Sequence, residues 1–151
     1  MVSRKKQLNR KRQELIRLAR FELEEIIPMI DTDYCRAKGG KLIKPKHGVI
    51  GDFRFKINSL RLATFKTQGL KCVCCGLEGC FFALETQKEG IAPHLNLYAI
   101  DASGDEVLMT HDHIMPRSKK GRNVLENAQV MCKPCNAKKA DKIVPYLEKH
   151  V

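Results

Sequence analysis

The chain of 151 residues is long enough for one domain with a hydrophobic core, whereas two full domains would be crowded. Its 28 lysine and arginine residues against 17 aspartate and glutamate residues give a formal net charge of +11, which favours a polyanionic partner, either nucleic acid or an acidic membrane surface. No segment approaches the roughly 18 consecutive apolar residues of a membrane span, and the start of the chain lacks a signal-peptide core, so we exclude a transmembrane protein and expect a soluble, cytoplasmic one.

Residues 3–27 predict a long basic helix. The segment SRKKQLNRKRQELIRLARFELEEII contains good helix formers and no glycine, and it ends before Pro28. Eight of the first 20 residues of the chain are Lys or Arg, and a narrow apolar stripe has helical spacing (Ile16, Ala19, Leu23 and Ile26). We therefore expect residues 1–66 to form a basic helical N-terminal extension, which either packs on the body or serves as an arm for nucleic-acid binding or dimerisation.

The next two segments predict a hairpin or loop and a short helix. Residues 31–55 place four glycines among short apolar runs, which is typical of a hairpin or loop. Residues 56–68, KINSLRLATFKTQ, have the composition of a short helix, and Gly69 provides a stop signal.

Two strands are predicted in the second half of the chain. Apolar and polar residues alternate over 94–100, HLNLYAI, as in a half-buried strand, and VLMTHDHI at 107–114 predicts a second strand. The turn sequence DASGDE lies between them, so the two strands are expected to form a hairpin. In an extended segment Asp112 and His113 point to opposite faces.

A helix is predicted near the C-terminal end. The short apolar run AQVM at 128–131 precedes CKPCNAKKADKI, in which Pro134 suits the first turn of a helix. Pro145 is expected to end or kink this helix.

Four cysteines predict a structural zinc site. Two residues separate Cys72 from Cys75 and Cys132 from Cys135, a spacing that lets each pair of thiolates converge on one ion. Two such pairs complete a tetrahedral four-sulfur shell, whereas redox motifs or core cysteines are the weaker alternatives. We expect the other three cysteines to be free and partly buried: Cys35, Cys74 and Cys80.

Residues 72–139 follow the pattern C-x-x-C-G, D-H-I-x-P and N-x-x-x-x-C-x-x-C-N-x-x-K. This pattern resembles the zinc-bearing HNH endonucleases of the ββα-metal, or His-Me finger, superfamily, and it covers 68 of the 151 residues. The resemblance implies an α+β fold in which residues 67–151 form a zinc-stabilised ββα-metal HNH domain after the N-terminal extension. Small proteins of this type resemble phage or mobile-element nucleases, including homing enzymes, which act inside a host cell.

The resemblance also assigns roles to individual residues. His113 would be the general base that activates water, since a histidine is substantially neutral at cellular pH. Asp112 and Asn136 would hold a catalytic Mg²⁺ or Mn²⁺ ion through oxygen atoms. Asn127 would either fix the orientation of His113 or pin the intervening loop. His111 matches no required position, and we expect an exposed strand residue or a phosphate contact there.

Basic residues near these motifs predict contacts with double-stranded DNA. They lie in the loop PRSKKGRN and in the final helix, and each could neutralise a backbone phosphate or simply be part of a solvated surface. The predicted contacts are Arg117, Lys119, Lys120, Arg122, Lys138 and Lys139.

The combined hypothesis is an HNH endonuclease that nicks or fully cuts DNA with one catalytic divalent ion, as a monomer or a homodimer. One alternative is a zinc-dependent nucleic-acid-binding protein that has lost catalysis. A second and weaker alternative is a membrane-surface protein that uses its basic helix.

Overall fold

The computed structural model describes residues 14–88 and 90–143. The strands and α-helices in these ranges are β1 (Ile16–Glu22), α1 (Leu23–Ile26), β2 (Arg36–Lys38), β3 (Lys41–Ile43), β4 (His47–Ile50), β5 (Phe53–Lys56), α2 (Leu60–Gln68), β6 (Gly79–Thr86), β7 (His94–Ile100), β8 (Glu106–His113), β9 (Ala128–Cys132) and α3 (Lys133–Lys139).

Five strands form one antiparallel sheet in the order β1-β6-β7-β8-β9. The two helices α2 and α3 pack against β8 and β9 at one end of this sheet. Strands β2 and β3 form one separate hairpin, and β4 and β5 form another. The predicted α+β fold is therefore confirmed, and so is the hairpin structure predicted within residues 31–55.

The helix predicted over 3–27 is wrong where the structure describes this segment. Residues 16–22 form β1, which pairs antiparallel with β6, and only a single turn of helix follows in α1. Helix propensity is a weak preference of a few tenths of a kcal/mol per residue, which tertiary contacts override. Here Arg17 pairs across the sheet with Glu85 and with Glu106, so the strand has partners that a helix would lack. Residues 3–13 lie outside the described residues.

One hydrophobic core joins residues from both sides of the predicted boundary between 66 and 67. That boundary falls within α2. Side chains that precede it pack directly with the apolar faces of β6 to β9. The buried members of this core are Phe21, Ile26, Ile30, Phe55, Leu62, Phe65, Cys72, Phe82, Leu84, Leu95, Leu97, Ala99, Met109, Val130, Met131 and Cys132.

The predicted short helix is present as α2, which begins four residues later than the predicted segment. The Ser59 hydroxyl caps it by accepting a hydrogen bond from the Leu62 amide at 3.1 Å. It ends at Gly69, whose φ of +96° suits glycine.

The hairpin that carries the DHI motif is confirmed as β7 and β8. Asp101 shapes the connecting turn, because its carboxylate accepts hydrogen bonds from the amides of Ser103 and Asp105. The last helix is also confirmed as α3, with Pro134 in its first turn. It ends at Lys139, and residues 140–143 are not helical, so the expectation that Pro145 ends or kinks this helix is wrong. Together β8, β9 and α3 make the predicted ββα unit.

Asn58 links the two small hairpins to the start of α2. Its fully buried side chain accepts a hydrogen bond from the Lys46 amide at 2.8 Å and donates one to the Lys44 carbonyl at 2.9 Å. Its own carbonyl accepts from the Cys35 amide at 2.8 Å. One side chain therefore satisfies backbone groups that would otherwise be buried without partners.

We expect Asn58→Ala to lower the free energy of unfolding by about 2–4 kcal/mol, because two backbone groups lose their partners. Urea denaturation followed by circular dichroism measures this change. Thr67→Ala, at an exposed position of α2, is the control and should change stability by less than about 0.5 kcal/mol. Equal stability of the two variants would contradict the role of Asn58.

Candidate functional site

Four cysteines that are distant in sequence meet at the junction of β9 and α3. Cys72 and Cys75 come from the turn after α2, whereas Cys132 ends β9 and Cys135 lies in the first turn of α3. Their four sulfur atoms all lie within 4.8 Å of one another, and the Cys75 and Cys132 sulfurs are 3.8 Å apart. Two sulfurs bound about 2.3 Å from one tetrahedral zinc ion also lie about 3.8 Å apart. The predicted cluster is thus confirmed, and it fits a zinc site.

Backbone hydrogen bonds shape the first pair of ligands and attach it to the sheet. The Gly76 amide donates to the Cys72 carbonyl at 2.9 Å, and the φ of +78° at Gly76 lets the chain turn back tightly. The Val73 amide donates to the Val130 carbonyl of β9, also at 2.9 Å. The ligands from two chain segments are therefore brought together by the sheet itself.

The thiol environments also favour a bound cation. Burial alone raises the pKa of Cys72, but hydrogen bonds from the backbone amides of Cys75, Cys132 and Cys74 outweigh it and lower the pKa to about 7. Burial raises the pKa of Cys132 and that of Cys135. Four sulfurs this close repel one another as thiolates, and a divalent ion removes that repulsion.

The other three cysteines stay outside the cluster, as predicted. Cys35 is half-buried, but Cys74 and Cys80 are exposed, so the expected partial burial is wrong for these two. Cys74 lies on a turn and Cys80 on a strand, and both side chains face away from the core.

His113 stands at the end of β8 and is half-buried. Its Nε2 lies 2.8 Å from Oδ1 of Asn123, a residue of the loop that connects β8 to β9. Because an amide oxygen only accepts, Nε2 donates and Nδ1 keeps its lone pair. Asn123 was missed in the sequence because its position depends on how this loop folds, and no local pattern marks it.

Asn127 pins the same loop. Its side chain accepts a hydrogen bond from the Met115 amide at 2.8 Å and donates to the carbonyls of Met115 and Arg122 at 3.0 and 2.8 Å. Of the two roles left open by the sequence, these contacts correspond to pinning the loop. The loop is tight enough to need glycine at 121, since a Cβ there would lie 1.7 Å from the Met115 carbonyl oxygen.

Asp112 points to the opposite face of β8 from His113, towards α3. Its Oδ2 pairs with Lys139 Nζ at 2.9 Å and accepts from Gln129 Nε2 at 3.1 Å. On the same face, Asn136 Nδ2 donates to Thr110 Oγ1 at 2.9 Å. The hydrogen bonds between described residues leave Oδ1 of Asp112 and Oδ1 of Asn136 unengaged, so both can offer an oxygen ligand to a divalent ion.

Lys139 is a structural residue in this arrangement. Its side chain is fully buried, and Nζ contacts Asp112 and also donates to the His113 carbonyl at 3.1 Å. The predicted DNA contact of Lys139 is therefore wrong in this structure, because its ammonium group is not at the surface. Its charge instead keeps a buried carboxylate paired. The other predicted DNA contacts are exposed: Arg117, Lys119, Lys120, Arg122 and Lys138.

His111 lies on the same face of β8 as His113, with ring centroids 5.7 Å apart. It is half-buried, so the expected exposed position is wrong. Burial, with smaller contributions from His113 and Arg61, lowers the pKa of His111 to about 4, and the ring is neutral at pH 7. Both histidines line a cleft of about 380 Å³ between β8 and α2.

Comparison with known proteins identifies the ββα unit. Residues 102–151 match the model of a family described as HNH endonuclease. This part of the chain is similar to an HNH endonuclease domain. The match includes β8, β9 and α3, and the resemblance inferred from the motifs is confirmed for this part of the chain. No curated protein and no solved structure matches the chain significantly.

Among the described residues, no helix has the length and apolar character needed to cross a membrane.

The four-thiol cluster supports a prediction on metal content. The purified protein should hold about one tightly bound divalent ion per chain, and Cys132→Ser should lose it and unfold at a lower urea concentration. Cys80→Ser removes an exposed thiol outside the cluster and should keep the ion. Mass spectrometry of the metal measures both variants, and full metal content in Cys132→Ser would contradict the ligand assignment.

Proposed function

We propose that the protein is a zinc-stabilised endonuclease that hydrolyses phosphodiester bonds in double-stranded DNA. The match of residues 102–151 to the HNH endonucleases carries this proposal. The net charge of +11 and the exposed basic residues around the loop after β8 support a polyanionic substrate. One site per chain suits a monomer that nicks one strand or a homodimer that cuts both.

His113 is the proposed general base. The hydrogen bond of Nε2 to Asn123 leaves Nδ1 to take a proton from the attacking water. A single imidazole can rotate freely unless a partner holds it, and Asn123 is that partner. Asn127 contributes indirectly, because it fixes the loop that carries Asn123.

Asp112 and Asn136 are the proposed ligands of the catalytic Mg²⁺ or Mn²⁺ ion. The bound ion would stabilise the negative charge that develops on the leaving oxygen. Lys139 and Gln129 hold the Asp112 carboxylate in place through its other oxygen. Thr110 likewise holds Asn136 by its amide nitrogen, so the amide oxygen is directed away from that contact.

Zinc has a positioning role in this proposal. Cys132 and Cys135 flank the start of α3, and Asn136 is the next residue along the chain. A metal that binds both cysteines to the turn of Cys72 and Cys75 would fix the first turn of α3 and, with it, Asn136. Loss of zinc would then remove activity by misplacing a ligand.

The decisive test is the cleavage of supercoiled plasmid with Mg²⁺ or Mn²⁺. Wild-type protein should nick or linearise the plasmid, and His113→Ala should lower the rate by about 100-fold or more because the base is lost. His47→Ala, at an exposed position of β4, is the matched control and should cleave normally. Equal cleavage by His113→Ala and wild type would refute the assignment of the base, and DNA binding without any cleavage would support the inactive binding protein.

Asn123→Ala tests the orientation of His113. Because a loosely held base is often misaligned, we expect kcat to fall by about tenfold to a hundredfold, less than in His113→Ala. Ser118→Ala, an exposed change in the same loop, should keep the wild-type rate. Unchanged kcat in Asn123→Ala would show that this hydrogen bond does not matter for catalysis.

A further inference from the structure

All the titratable residues that line a cleft beside His113 are basic. It lies between the first turn of α2 and the strands β7 and β8, has a volume of about 380 Å³, and is called the α2 cleft below. None of its described lining residues is acidic. Its titratable lining residues are Lys56, Arg61, His94, His111, His113 and Arg117. Lys56, Arg61 and Arg117 are positively charged at pH 7, whereas burial keeps the His111 ring neutral. Three cations without a described acidic neighbour in one cleft favour an anionic occupant.

Arg61 is the central residue of the α2 cleft. Its Nη2 donates to the Leu95 carbonyl at 2.8 Å, but its Nε is buried and has no hydrogen-bond partner among the described residues. None of the ion pairs between described residues involves Arg61. Burial lowers the pKa of this guanidinium, although arginine stays charged. A largely buried guanidinium without an anionic partner is costly, and an anion in the cleft would balance its charge.

The first turn of α2 adds further donors on the same side. The Ala63 amide makes the first intrahelical hydrogen bond, to the Ser59 carbonyl, and the Ser59 hydroxyl caps the Leu62 amide. The amides of Leu60 and Arg61 precede these bonds and have no intrahelical acceptor. Ser59, Leu60 and Arg61 all line the cleft, so the positive end of a nine-residue helix faces it.

The acidic residue that lines the second cleft bordered by Arg61 is already paired. Arg61 also borders a second cleft that contains Glu85. The Glu85 carboxylate accepts from Arg17 at 3.2 Å, from Asn96 at 2.9 Å and from the Tyr98 hydroxyl. Glu85 therefore has three other donors, and none of the described ion pairs joins it to Arg61.

We propose that the α2 cleft binds a backbone phosphate of the DNA. This phosphate is the neighbour of the scissile phosphate, which is attacked by the water that His113 activates. Arg61 and the first turn of α2 are the binding groups, and both precede the residues matched by the HNH family. This inference rests on the proposed nuclease function, because the occupant is part of the same substrate. Inorganic phosphate shares the chemistry of the ligand and serves as a probe.

The first experiment uses the wild-type chain and nuclear magnetic resonance. The Nε–H signal of Arg61, assigned by its loss in Arg61→Gln, should shift when a short DNA duplex is added without divalent ions, and shift less with inorganic phosphate. The Nε–H signal of Arg54, an exposed residue of β5, is the internal control and should move little. An unmoved Arg61 signal at saturating duplex would overturn the proposal.

The second experiment measures duplex affinity by fluorescence anisotropy in the uncleaving His113→Ala background. Arg61→Gln should weaken binding by roughly tenfold or more and reduce the slope of log affinity against log salt by about one, since one phosphate contact is lost. Arg54→Gln removes the same charge from an exposed position and should weaken binding clearly less. Equal losses in the two variants would refute a dedicated phosphate site.

The two proposals can fail separately. If wild-type protein cleaves plasmid while Arg61→Gln binds duplex as Arg54→Gln does, the nuclease function stands and the phosphate site is refuted. If Arg61→Gln binds duplex weakly while wild-type protein never cleaves, the phosphate site stands and the nuclease function fails.

Discussion

Mutual repulsion between closely spaced thiolates is the constraint on which the arrangement of this protein depends. The four sulfur atoms come from two turns that 56 residues separate, and a shared cation would remove the repulsion between their thiolates. Because one turn follows α2 and the other begins α3, the same ion would set the relative placement of both helices. Each helix in turn presents its polar residues to one face of β8.

Consecutive side chains of β8 point to opposite faces of the strand, so its polar residues are divided between the α2 side and the α3 side. His111 and His113 point towards α2 and the electropositive cleft, whereas Thr110 and Asp112 point towards α3. The two sets of residues therefore have very different environments although they are adjacent in sequence. On one side a carboxylate is balanced by the buried Lys139, and on the other side positive charge accumulates without a described acidic neighbour.

The features that depend on local spacing in the sequence were predicted correctly, whereas the features that depend on packing between distant segments were missed. The C-x-x-C pairs, the alternation in β7 and the position of Pro134 in α3 are local patterns, and the structure agrees with them. β1 was predicted as helix because its residues have good helix propensity, whereas its pairing with β6 is a contact between distant segments. The motif likewise includes Lys139 without indicating its burial, and Asn123 reaches His113 only through the fold of a loop.

The pairing of β1 with β6 also determines where the chain can be truncated without exposing its core. A fragment that starts at residue 67 would keep every motif residue and all four zinc ligands, yet it would leave β6 as an open sheet edge. It would also uncover Phe82 and Leu84, which are fully buried in the intact chain. Long apolar sheet edges recruit other chains, so the minimal fragment suggested by the motifs would tend to aggregate. A fragment that includes the HNH-like segment is therefore expected to need β1, which begins at Ile16, to cover this edge.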